Sequence, residues 1–479
     1  MNILVITSEA VPFAKTGGLA DVTGSLPQAL NNLEQNIKAA VIMPKYGLIQ
    51  HALKDKIKHI RYIFITVAGK SVYCGIEKAE YKGVSYYFID NEYYFKRDGL
   101  YGYGDDPERF AFFCKAVLEA VPFLDFLPDI LHCNDWQTGM IPLLLNDRYK
   151  SQSMYKNISV IFTVHNLQYQ GVFDIERVKN CMDLNDRYFN MDGIEFYGGA
   201  SFMKAGLIYS DLITTVSPGY ADEIQEKVFG ERLDGLLRAR KDKLFGILNG
   251  IDYKDYDPES DIYLVKRYNK DSLELKKENK SALQLELNMP QNRDIAVIGL
   301  ISRLTSQKGL DLIEYAMHDI LKEDLQFYVL GTGDEKFERF FKDVAYNNPE
   351  RVSANIRFDN VLAHRIYASS DIFLMPSLFE PCGLGQLIAM RYGSLPVVRE
   401  TGGLKNTVFS YNESTGEGNG FSFREYNAHD MLFTIKRALD LYKDKKTWEK
   451  IQIAAMSSDY SWHSSATKYV ELYNKLKGI

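Results

Sequence analysis

The sequence is poor in the residues that build disulfide frameworks and structural metal sites. Only five of its 479 residues are cysteine and eight are histidine, and no CxxC pair or Cys/His ligand spacing occurs. Scattered cysteines in odd number favour a reduced, cytoplasmic compartment over a disulfide framework. We therefore expect neither structural zinc nor another bound metal.

Long apolar runs and an excess of positive charge are absent as well. No stretch of about 18 uncharged apolar residues is present, and residues 1–9 lack the basic and apolar regions of a signal peptide. Lys and Arg total 57 against 63 for Asp and Glu, a net charge of −6, which argues against binding to a phosphate backbone. The expected partners are thus neither membranes nor nucleic acids, and the oligomeric state is left open.

The composition is that of an ordinary globular chain. Hydrophobic residues make up 46% and charged residues 25%, and the length suffices for two or three domains. Short runs rich in Val and Ile alternate with helical patterns, which predicts an α/β fold with parallel sheets in two domains. The predicted strands are 3–7, 39–43, 62–67, 86–89, 130–133, 160–164, 212–216, 296–301, 327–330, 356–358, 372–375 and 395–398.

The boundary between the two predicted domains lies near residues 243–252. Gly246 and the Asn249-Gly250 pair signal turns there. The charged segment that follows, 253–292, is interpreted as a solvated helical face and not as a binding patch. Residues 97–107, with three glycines and two tyrosines, predict a mobile surface loop.

The first candidate ligand site is residues 15–21, Lys-Thr-Gly-Gly-Leu-Ala-Asp, after the first predicted strand. The backbone N–H groups of Gly17 and Gly18, the helix start and the Lys15 ammonium would together attract a negative oxygen. Neither GxGxxG nor GxxxxGK is present, so this is no dinucleotide or Walker motif. The alternative is a tight turn in which Lys15 is solvated and Asp21 merely favours the helix dipole.

A second candidate is the loop 302–309, which follows predicted strand 296–301. Arg303 and Lys308 suit a diphosphate, because Arg offers a planar fork and Lys a point charge. The alternative is a cationic loop exposed to water. In addition, the Thr-Gly-Gly-Leu sequence at 16–19 recurs at 401–404, again between a strand and a helix, where open α/β sheets bind ligands.

A third candidate is the loop 379–385, Phe-Glu-Pro-Cys-Gly-Leu-Gly, which precedes a helix. Its carboxylate, Glu380, can accept sugar hydroxyls while the glycine-lined N–H groups hold phosphate, a mixture that suits a polyol attached to an anion. No His lies near Cys382 in the sequence, so a small buried residue is favoured over a nucleophile.

In the first half, Asp135 follows one predicted strand, and His165 and Asn166 follow another. Because strand ends meet at one edge of a parallel sheet, these three side chains should line the same region. His132 and Asp135 could be imagined as metal ligands, but two such residues without further ligands make a weak metal site.

Taken together, these segments resemble bacterial glycogen synthase and plant starch synthase. The resemblance covers essentially the whole chain and rests on seven motifs in order. They are KTGGLAD at 15–21, NDW at 134–136, TVHN at 163–166, LNGID at 248–252, SRLTSQKG at 302–309, FEPCGL at 379–384 and TGGL at 401–404.

The resemblance implies the GT-B fold, in which two Rossmann-like domains with parallel sheets face an interdomain cleft and close on the donor. It implies an N-terminal domain at 1–245, a C-terminal nucleotide-sugar-binding domain at 246–458, and a helix within 459–479 that crosses back to the N-terminal domain. The implied activity is that of a retaining glycosyltransferase, which elongates glycogen by moving glucose from ADP-glucose to the non-reducing 4-hydroxyl of an α-1,4-glucan.

The resemblance also implies roles for single residues. Lys15, Arg303 and Lys308 would hold the diphosphate with the Gly18 backbone, and Phe358, where the family often has Tyr, would stack on the adenine. The residues around the glucosyl group would be Asp135, His165, Asn166, Asn249 and Glu380. The other candidate substrate-binding residues are Gly17, Asp21, Cys382, Gly383, Leu384, Gly385, Thr401 and Gly402.

Two positions depart from patterns seen in related enzymes. Gly385 stands where many members have Thr or Ser. Ile388 stands where other retaining transferases of this fold have a second Glu, but that Glu is usually absent from glycogen and starch synthases. The built-in cations make a metal or other cofactor unnecessary. The alternative function is a UDP-glucose-dependent glucan or glycoside synthase of the same fold. The missing GxGxxG motif disfavours an oxidoreductase. The intact charged residues disfavour an inactive glucan-binding protein.

Overall fold

The computed structural model describes residues 1–33 and 36–478. The chain forms two compact units: unit 1 contains the described residues of Met1–Gly250 and Trp462–Ile479, and unit 2 contains Ile251–Ser461. Among the described residues, no helix has both the length and the apolar character needed to cross a membrane.

Most strands of both units are short and apolar, as expected for elements buried on both faces. They are β1 (Asn2–Ile6), β2 (Lys38–Pro44), β3 (Lys58–Val67), β4 (Lys70–Tyr81), β5 (Val84–Asp90), β6 (Ile130–Asn134), β7 (Ser159–Val164), β8 (Val172–Asp174), β9 (Glu195–Phe196), β10 (Gly199–Ser201), β11 (Leu212–Thr215), β12 (Leu244–Gly246), β13 (Ala296–Ile301), β14 (Leu325–Leu330), β15 (Val352–Asn355), β16 (Ile372–Met375), β17 (Leu395–Arg399) and β18 (Phe421–Phe423).

The helices connect these strands and cover the sheets. They are α1 (Gly18–Asn32), α2 (His51–Lys54), α3 (Glu92–Phe95), α4 (Asp106–Ala120), α5 (Met140–Leu144), α6 (Ile175–Met182), α7 (Phe202–Tyr209), α8 (Pro218–Glu223), α9 (Asp234–Ala239), α10 (Lys276–Glu286), α11 (Leu310–Ile320), α12 (Glu335–Asn347), α13 (Asn360–Ser369), α14 (Gly385–Arg391), α15 (Gly402–Thr407), α16 (Ala428–Lys443), α17 (Lys445–Met456) and α18 (Trp462–Lys477).

Unit 1 is built on a nine-stranded sheet with the order β12-β11-β7-β6-β1-β2-β5-β4-β3. The strands from β12 to β5 run parallel, whereas β4 and β3 pair antiparallel at one edge. A second, three-stranded sheet has the order β8-β10-β9. Because parallel strands end at one edge, the loops after β1, β6 and β7 lie side by side.

Unit 2 is built on a six-stranded parallel sheet with the order β15-β14-β13-β16-β17-β18. Its central strands are fully buried, including Ile298, Phe327 and Leu374. The loops after β13, β16 and β17 therefore begin on neighbouring strands, at the edge where open α/β sheets bind ligands.

The sequence predicted most of these strands but misplaced one. The prediction of a strand at 356–358 is wrong: the strand is β15 (Val352–Asn355), and Phe358 lies in the loop before α13. β15 is a short edge strand with mixed burial, so its apolar pattern is weak. The polar β4 and the short β8, β9, β10, β12 and β18 were not predicted.

The charged segment 253–292 was interpreted as a solvated face, but two of its lysines are buried. Lys280 is buried and lies 2.6 Å from the Asp371 carboxylate. Lys276 is also buried, donates to backbone carbonyls of Tyr367 and Ala368, and has a pKa lowered to about 7, chiefly by burial. These lysines attach α10 to the rest of unit 2, an outcome that charge patterning alone does not reveal because Asp371 and the two carbonyls lie about 90 positions along the chain.

Part of the segment 97–107 is packed against the body of unit 1. The hydroxyl of Tyr101 forms hydrogen bonds with Ser8 at 2.7 Å and with Glu9 at 3.1 Å. Asp106 begins α4 and pairs with the fully buried Arg109 at 2.5 Å. These contacts place a tyrosine of this segment beside the loop that follows β1.

The last helix of the chain, α18, belongs to unit 1 and contacts α1. Its buried side chains include Ala466, Tyr469, Leu472 and Tyr473. The Tyr473 hydroxyl lies 2.8 Å from His132 Nδ1 in β6. This hydrogen bond joins the end of the chain to the strand that precedes Asp135.

We expect Tyr473→Ala to destabilise unit 1 by about 3–5 kcal/mol, the usual cost of truncating a fully buried aromatic residue. Faster amide hydrogen exchange in β1 and β6 would show this loss. Glu471→Ala, an exposed position on the same helix, serves as the control and should leave exchange unchanged. Equal exchange for wild type and Tyr473→Ala would contradict the stabilising role assigned to α18.

Candidate active site

A buried carboxylate, which the sequence analysis missed, holds the loop between β1 and α1. Glu9 accepts hydrogen bonds from the backbone N–H and the hydroxyl of Thr16, and from the Tyr101 hydroxyl. Burial raises the pKa of Glu9, and these hydrogen bonds oppose the rise. Its place just after a buried strand is the signal that could have identified it. Through Thr16, Glu9 fixes the backbone that presents the two glycines.

Gly17 and Gly18 leave open space at the start of α1. A Cβ atom at either position would meet nothing within 4 Å, and Gly17 caps the helix without a side-chain hydrogen bond. The first N–H groups of a helix have no intrahelical acceptor, so a ligand can approach them here. Lys15 stands beside them, partly exposed, with Nζ 2.7 Å from Asp21 Oδ1.

Asp135 is held in an unfavourable environment. Its backbone has φ 55° and ψ 178°, a conformation that residues other than glycine rarely adopt. Its Oδ1 accepts the His165 backbone N–H at 2.7 Å. Burial raises the pKa of Asp135 to about 7, although backbone hydrogen bonds from His165 and Asn166 lower it. Strain and a perturbed pKa at one residue are typical of functional sites.

His165 is fixed in one tautomer by Asn134, a motif residue to which the sequence analysis assigned no role. The Asn134 amide donates to the carbonyls of Ile6 and His132 at 3.1 and 3.0 Å. Its Oδ1 therefore accepts from His165 Nε2 at 2.9 Å, which places the proton on Nε2. Burial lowers the pKa of His165 to about 3, so the imidazole is neutral at physiological pH.

Two asparagines add polar groups to unit 1. Asn249 is buried, and its Oδ1 has no hydrogen-bond partner within the described residues. A buried acceptor without a donor is costly, so Asn249 Oδ1 is suited to accept a ligand hydroxyl. Asn166 is partly exposed, and its Oδ1 accepts the Gln168 backbone N–H at 3.0 Å.

In unit 2 the structure brings the loops 302–309 and 379–385 together. Lys308 Nζ lies 2.6 Å from Glu380 Oε2, and the Ser377 hydroxyl donates to the same oxygen at 3.0 Å. The Leu378 backbone N–H also donates to the carbonyl of Gln307 at 2.9 Å. A cation and a carboxylate from distant parts of the sequence therefore form one group. Ser377 was not predicted from the sequence.

Arg303 differs from Lys308 because it is exposed and forms no ion pair within residues 1–33 and 36–478. The hydroxyls of its neighbours Ser302 and Thr305 are buried without a hydrogen-bond partner in the same residues. A loop with one uncompensated cation and two unsatisfied hydroxyls is suited to bind a polar anion.

The second Thr-Gly-Gly-Leu sequence packs directly on the Glu380 loop. The Gly403 N–H donates to the Glu380 carbonyl at 3.1 Å. A Cβ at Gly402, which has φ 45°, would lie 2.1 Å from that carbonyl oxygen, so the close approach requires glycine. Cys382 is buried, as expected for a small packed residue. Gly383 and Leu384 complete the loop, Gly385 begins α14, and Thr401 caps α15.

Phe358, the residue expected to stack on the adenine, is largely exposed to solvent. Its side chain is 86% exposed and makes no ring contact with another aromatic residue in the described part of the chain. It precedes α13, which begins at Asn360. An exposed ring at this position is available for stacking on a planar ligand.

We expect Asp135→Asn to stabilise the protein at pH 8 by about 1–3 kcal/mol, because about 1.4 kcal/mol accompanies each unit of pKa shift. The Asp135 pKa is raised in the folded state, so its stabilising contribution is complete below about pH 4 and is lost as the pH rises through 7. The amide keeps an acceptor for the His165 N–H without the buried charge.

Thermal unfolding at pH 5 and pH 8 measures this difference. The gain in stability from Asp135→Asn should be larger at pH 8 than at pH 5. The control Asp192→Asn, at an exposed position, should show no such pH dependence. A variant that is less stable than wild type at pH 8 would contradict the buried-charge argument.

Comparisons with known proteins show which family this chain belongs to. Residues 2–239 match the family described as "Starch synthase catalytic domain", and residues 288–454 match "Glycosyl transferases group 1". Glycogen synthase of Anoxybacillus flavithermus is 53% identical over 99% of this chain and 98% of its own length. Glycogen synthase of Bacillus cereus strain Q1 is 52% identical over 99% and 100%.

Two solved structures are similar over the whole chain. The catalytic domain of Arabidopsis thaliana starch synthase IV, bound to ADP and acarbose, is 34% identical, with a TM-score of 0.92 and coverage of 100% of this chain and 99% of that one. Sucrose-phosphate synthase of Thermosynechococcus elongatus shares the fold at 17% identity, with a TM-score of 0.62 and coverage of 99% and 98%. The chain therefore belongs to the glycogen and starch synthase family of glycosyltransferases and has the GT-B fold.

Proposed function

We propose that this enzyme transfers glucose from ADP-glucose to the non-reducing 4-hydroxyl of an α-1,4-glucan, with retention, and so elongates glycogen in the cytoplasm. The observation that carries the proposal is the joining of the 302–309 and 379–385 loops by Lys308 and Glu380, 2.6 Å apart. Identity of 52–53% to glycogen synthases over nearly the full length supports the reaction. The ADP and acarbose bound to the Arabidopsis domain support an adenine nucleotide and a glucan as ligands.

The proposed diphosphate site uses three cations. His165 is neutral at physiological pH and so adds no positive charge. The negative charge of the leaving diphosphate would be balanced by Lys15 of unit 1 and by Arg303 and Lys308 of unit 2. Negative charge grows on the diphosphate as the glucosyl bond breaks, so fixed cations stabilise the transition state more than the ground state. We propose that no metal and no other cofactor are needed for this step.

The proposed glucosyl site uses polar groups of both units. Glu380 would accept sugar hydroxyls, and the diphosphate would compete with it for the Lys308 ammonium. Asp135, His165, Asn166 and Asn249 would contact the sugar from unit 1. Because these groups are divided between the units, neither unit alone is expected to transfer glucose.

The remaining candidates would hold the nucleotide by backbone groups and stacking. The exposed Phe358 ring would stack on the adenine. N–H groups at the starts of α1, α14 and α15 suit the phosphates, because helix N-termini favour anions. The residues assigned to this backbone cradle and its support are Gly17, Gly18, Asp21, Cys382, Gly383, Leu384, Gly385, Thr401 and Gly402.

We propose front-face transfer as the route to retention. The bond between the anomeric carbon and the leaving phosphate oxygen breaks, and the 4-hydroxyl oxygen of the glucan bonds to the same face of that carbon. The hydroxyl proton moves to the leaving phosphate oxygen. The enzyme's contribution is orientation and charge stabilisation of an ion pair.

The function is tested by supplying ADP-glucose or UDP-glucose with glycogen and EDTA and measuring incorporated label. We expect transfer from ADP-glucose, with UDP-glucose much poorer, and full activity in EDTA. Preference for UDP-glucose would replace the proposed donor with the alternative one. Loss of activity in EDTA with recovery on adding magnesium would overturn the metal-free assignment.

We expect Lys308→Ala and Arg303→Ala each to lower turnover by about two to four orders of magnitude, the range for removing a transition-state charge contact. Arg303 is exposed, so its variant should retain wild-type stability. Lys308→Ala leaves the buried Glu380 without its cation and should also lower the melting temperature.

Steady-state kinetics and thermal melts separate these effects. The exposed Lys342→Ala on α12 controls for loss of a surface charge in unit 2. Retention of more than about half of wild-type turnover by either variant would exclude its residue from the transition-state clamp.

A further inference from the structure

A buried carboxylate of unit 2, Asp261, is held between two helices. Its Oδ2 atom lies 2.7 Å from His364 Nδ1 in α13 and accepts the hydroxyl of Tyr392, the residue after α14, at 2.5 Å. Its Oδ1 atom accepts the Tyr263 backbone N–H at 2.8 Å. The side chains of Asp261 and His364 are 1% and 3% exposed. We call Asp261, His364 and Tyr392 the Asp261 cluster.

The charge of Asp261 makes this cluster a firm junction. Burial would raise the pKa of Asp261, but hydrogen bonds from His364, Tyr392 and the Tyr263 backbone outweigh it, so the pKa is lowered. An ionised carboxylate only accepts hydrogen bonds, so His364 carries its proton on Nδ1. Hydrogen bonds to a charged group are stronger than neutral ones, and a buried charge that loses its donors is costly.

Tyrosines of one irregular segment hold the two partners of Asp261 in place. Tyr256 stacks on the His364 imidazole with ring centroids 4.7 Å apart and an interplanar angle of 13°. The Tyr268 hydroxyl donates to the backbone carbonyl of Tyr392 at 2.8 Å. Both tyrosines belong, like Asp261, to the segment between β12 and α10. This segment therefore anchors α13 and the end of α14 at once.

The helix on one side of the cluster carries Phe358 just before its start. Asp359 caps α13, because its Oδ1 accepts the Leu362 backbone N–H at 3.0 Å. His364 lies about one and a half helical turns beyond this cap. The exposed Phe358 ring has little packing of its own, so its position follows that of α13.

The helix on the other side continues from the loop that holds Glu380. α14 is only seven residues long, Gly385–Arg391, and Tyr392 follows it directly. A helix of this length spans about 10 Å and moves as one piece. Fixing Tyr392 therefore restrains the loop 379–385 at the other end of α14.

We propose that Asp261 is a positioning residue for the nucleotide sugar, because it sets the spacing between the Phe358 ring and the Glu380 loop. The inference rests on the proposed function for the identity of the donor. The adenine and the glucosyl diphosphate are parts of one molecule, so they bind together only where their two contact sites keep a matching distance. A spacing fixed before binding lowers the entropy that binding costs.

This role predicts an effect confined to the donor. Without the carboxylate, α13 and α14 lose their shared anchor, and donor affinity falls. Once the donor is bound, the acceptor and the chemical step do not depend on the anchor, so turnover at saturation and KM for glycogen stay the same. A residue that only stabilised unit 2 would instead lower the melting temperature and the active fraction, with KM for the donor unchanged.

The first test compares wild type with Asp261→Asn, which keeps the size of the side chain and removes its charge. We expect the dissociation constant of ADP in calorimetry and KM for ADP-glucose each to rise about tenfold, the equivalent of about 1.4 kcal/mol. Turnover at saturation and KM for glycogen should match wild type. Asp255→Asn makes the same chemical change at an exposed position of the same segment and should have no effect.

Milder variants keep the test decisive if Asp261→Asn does not fold. Tyr392→Phe removes one hydrogen bond from Asp261 and keeps the ring, and we expect it to raise KM for ADP-glucose about threefold. His364→Asn can still donate an amide N–H to Asp261, whereas His364→Leu cannot. His364→Asn should therefore bind ADP more tightly than His364→Leu.

Hydrogen exchange in the ligand-free protein separates the possible failures. Asp261→Asn should exchange faster in α13, whether or not the enzyme transfers glucose. Wild-type affinity for ADP in a folded Asp261→Asn, or in Tyr392→Phe if the first variant does not fold, overturns the positioning role. If wild type transfers no glucose from either donor, the proposed function fails, whereas weakened ADP binding by the variants would still establish the role of Asp261.

Discussion

The parallel sheet constrains everything else in this enzyme. Its strands are buried on both faces, as the fully buried Ile3, Leu4, Val5 and Ile6 of β1 show, so a polar ligand cannot be bound along their length without losing that packing. The candidate site residues, with their charges, strained backbone and open space, lie instead in loops at the carboxyl ends of the strands. The strand order then decides which loops meet, and it brings distant motifs together without any need for closeness in sequence.

The candidate site residues of the two units differ in how their charge is compensated. Unit 1 buries carboxylates under conditions that raise the pKa of both Glu9 and Asp135, and it keeps His165 neutral. In unit 2 the buried carboxylate of the candidate site, Glu380, is compensated by a lysine and a hydroxyl. A donor with an anionic diphosphate and a neutral sugar needs both kinds of environment, since cations must face one part and hydrogen-bonding groups the other.

Local sequence patterns predicted the buried strands well, because runs of Val and Ile between turn signals have few alternatives. They failed where burial depends on partners far along the chain. Lys280 belongs to a charged run but pairs with Asp371, 91 positions away. Local patterns also gave no sign that Asn134 and Ser377 form hydrogen bonds with His165 and Glu380. Such supporting residues can be recognised only when the contacts are known, whereas glycine-rich and charged loops after strands are visible in the sequence itself.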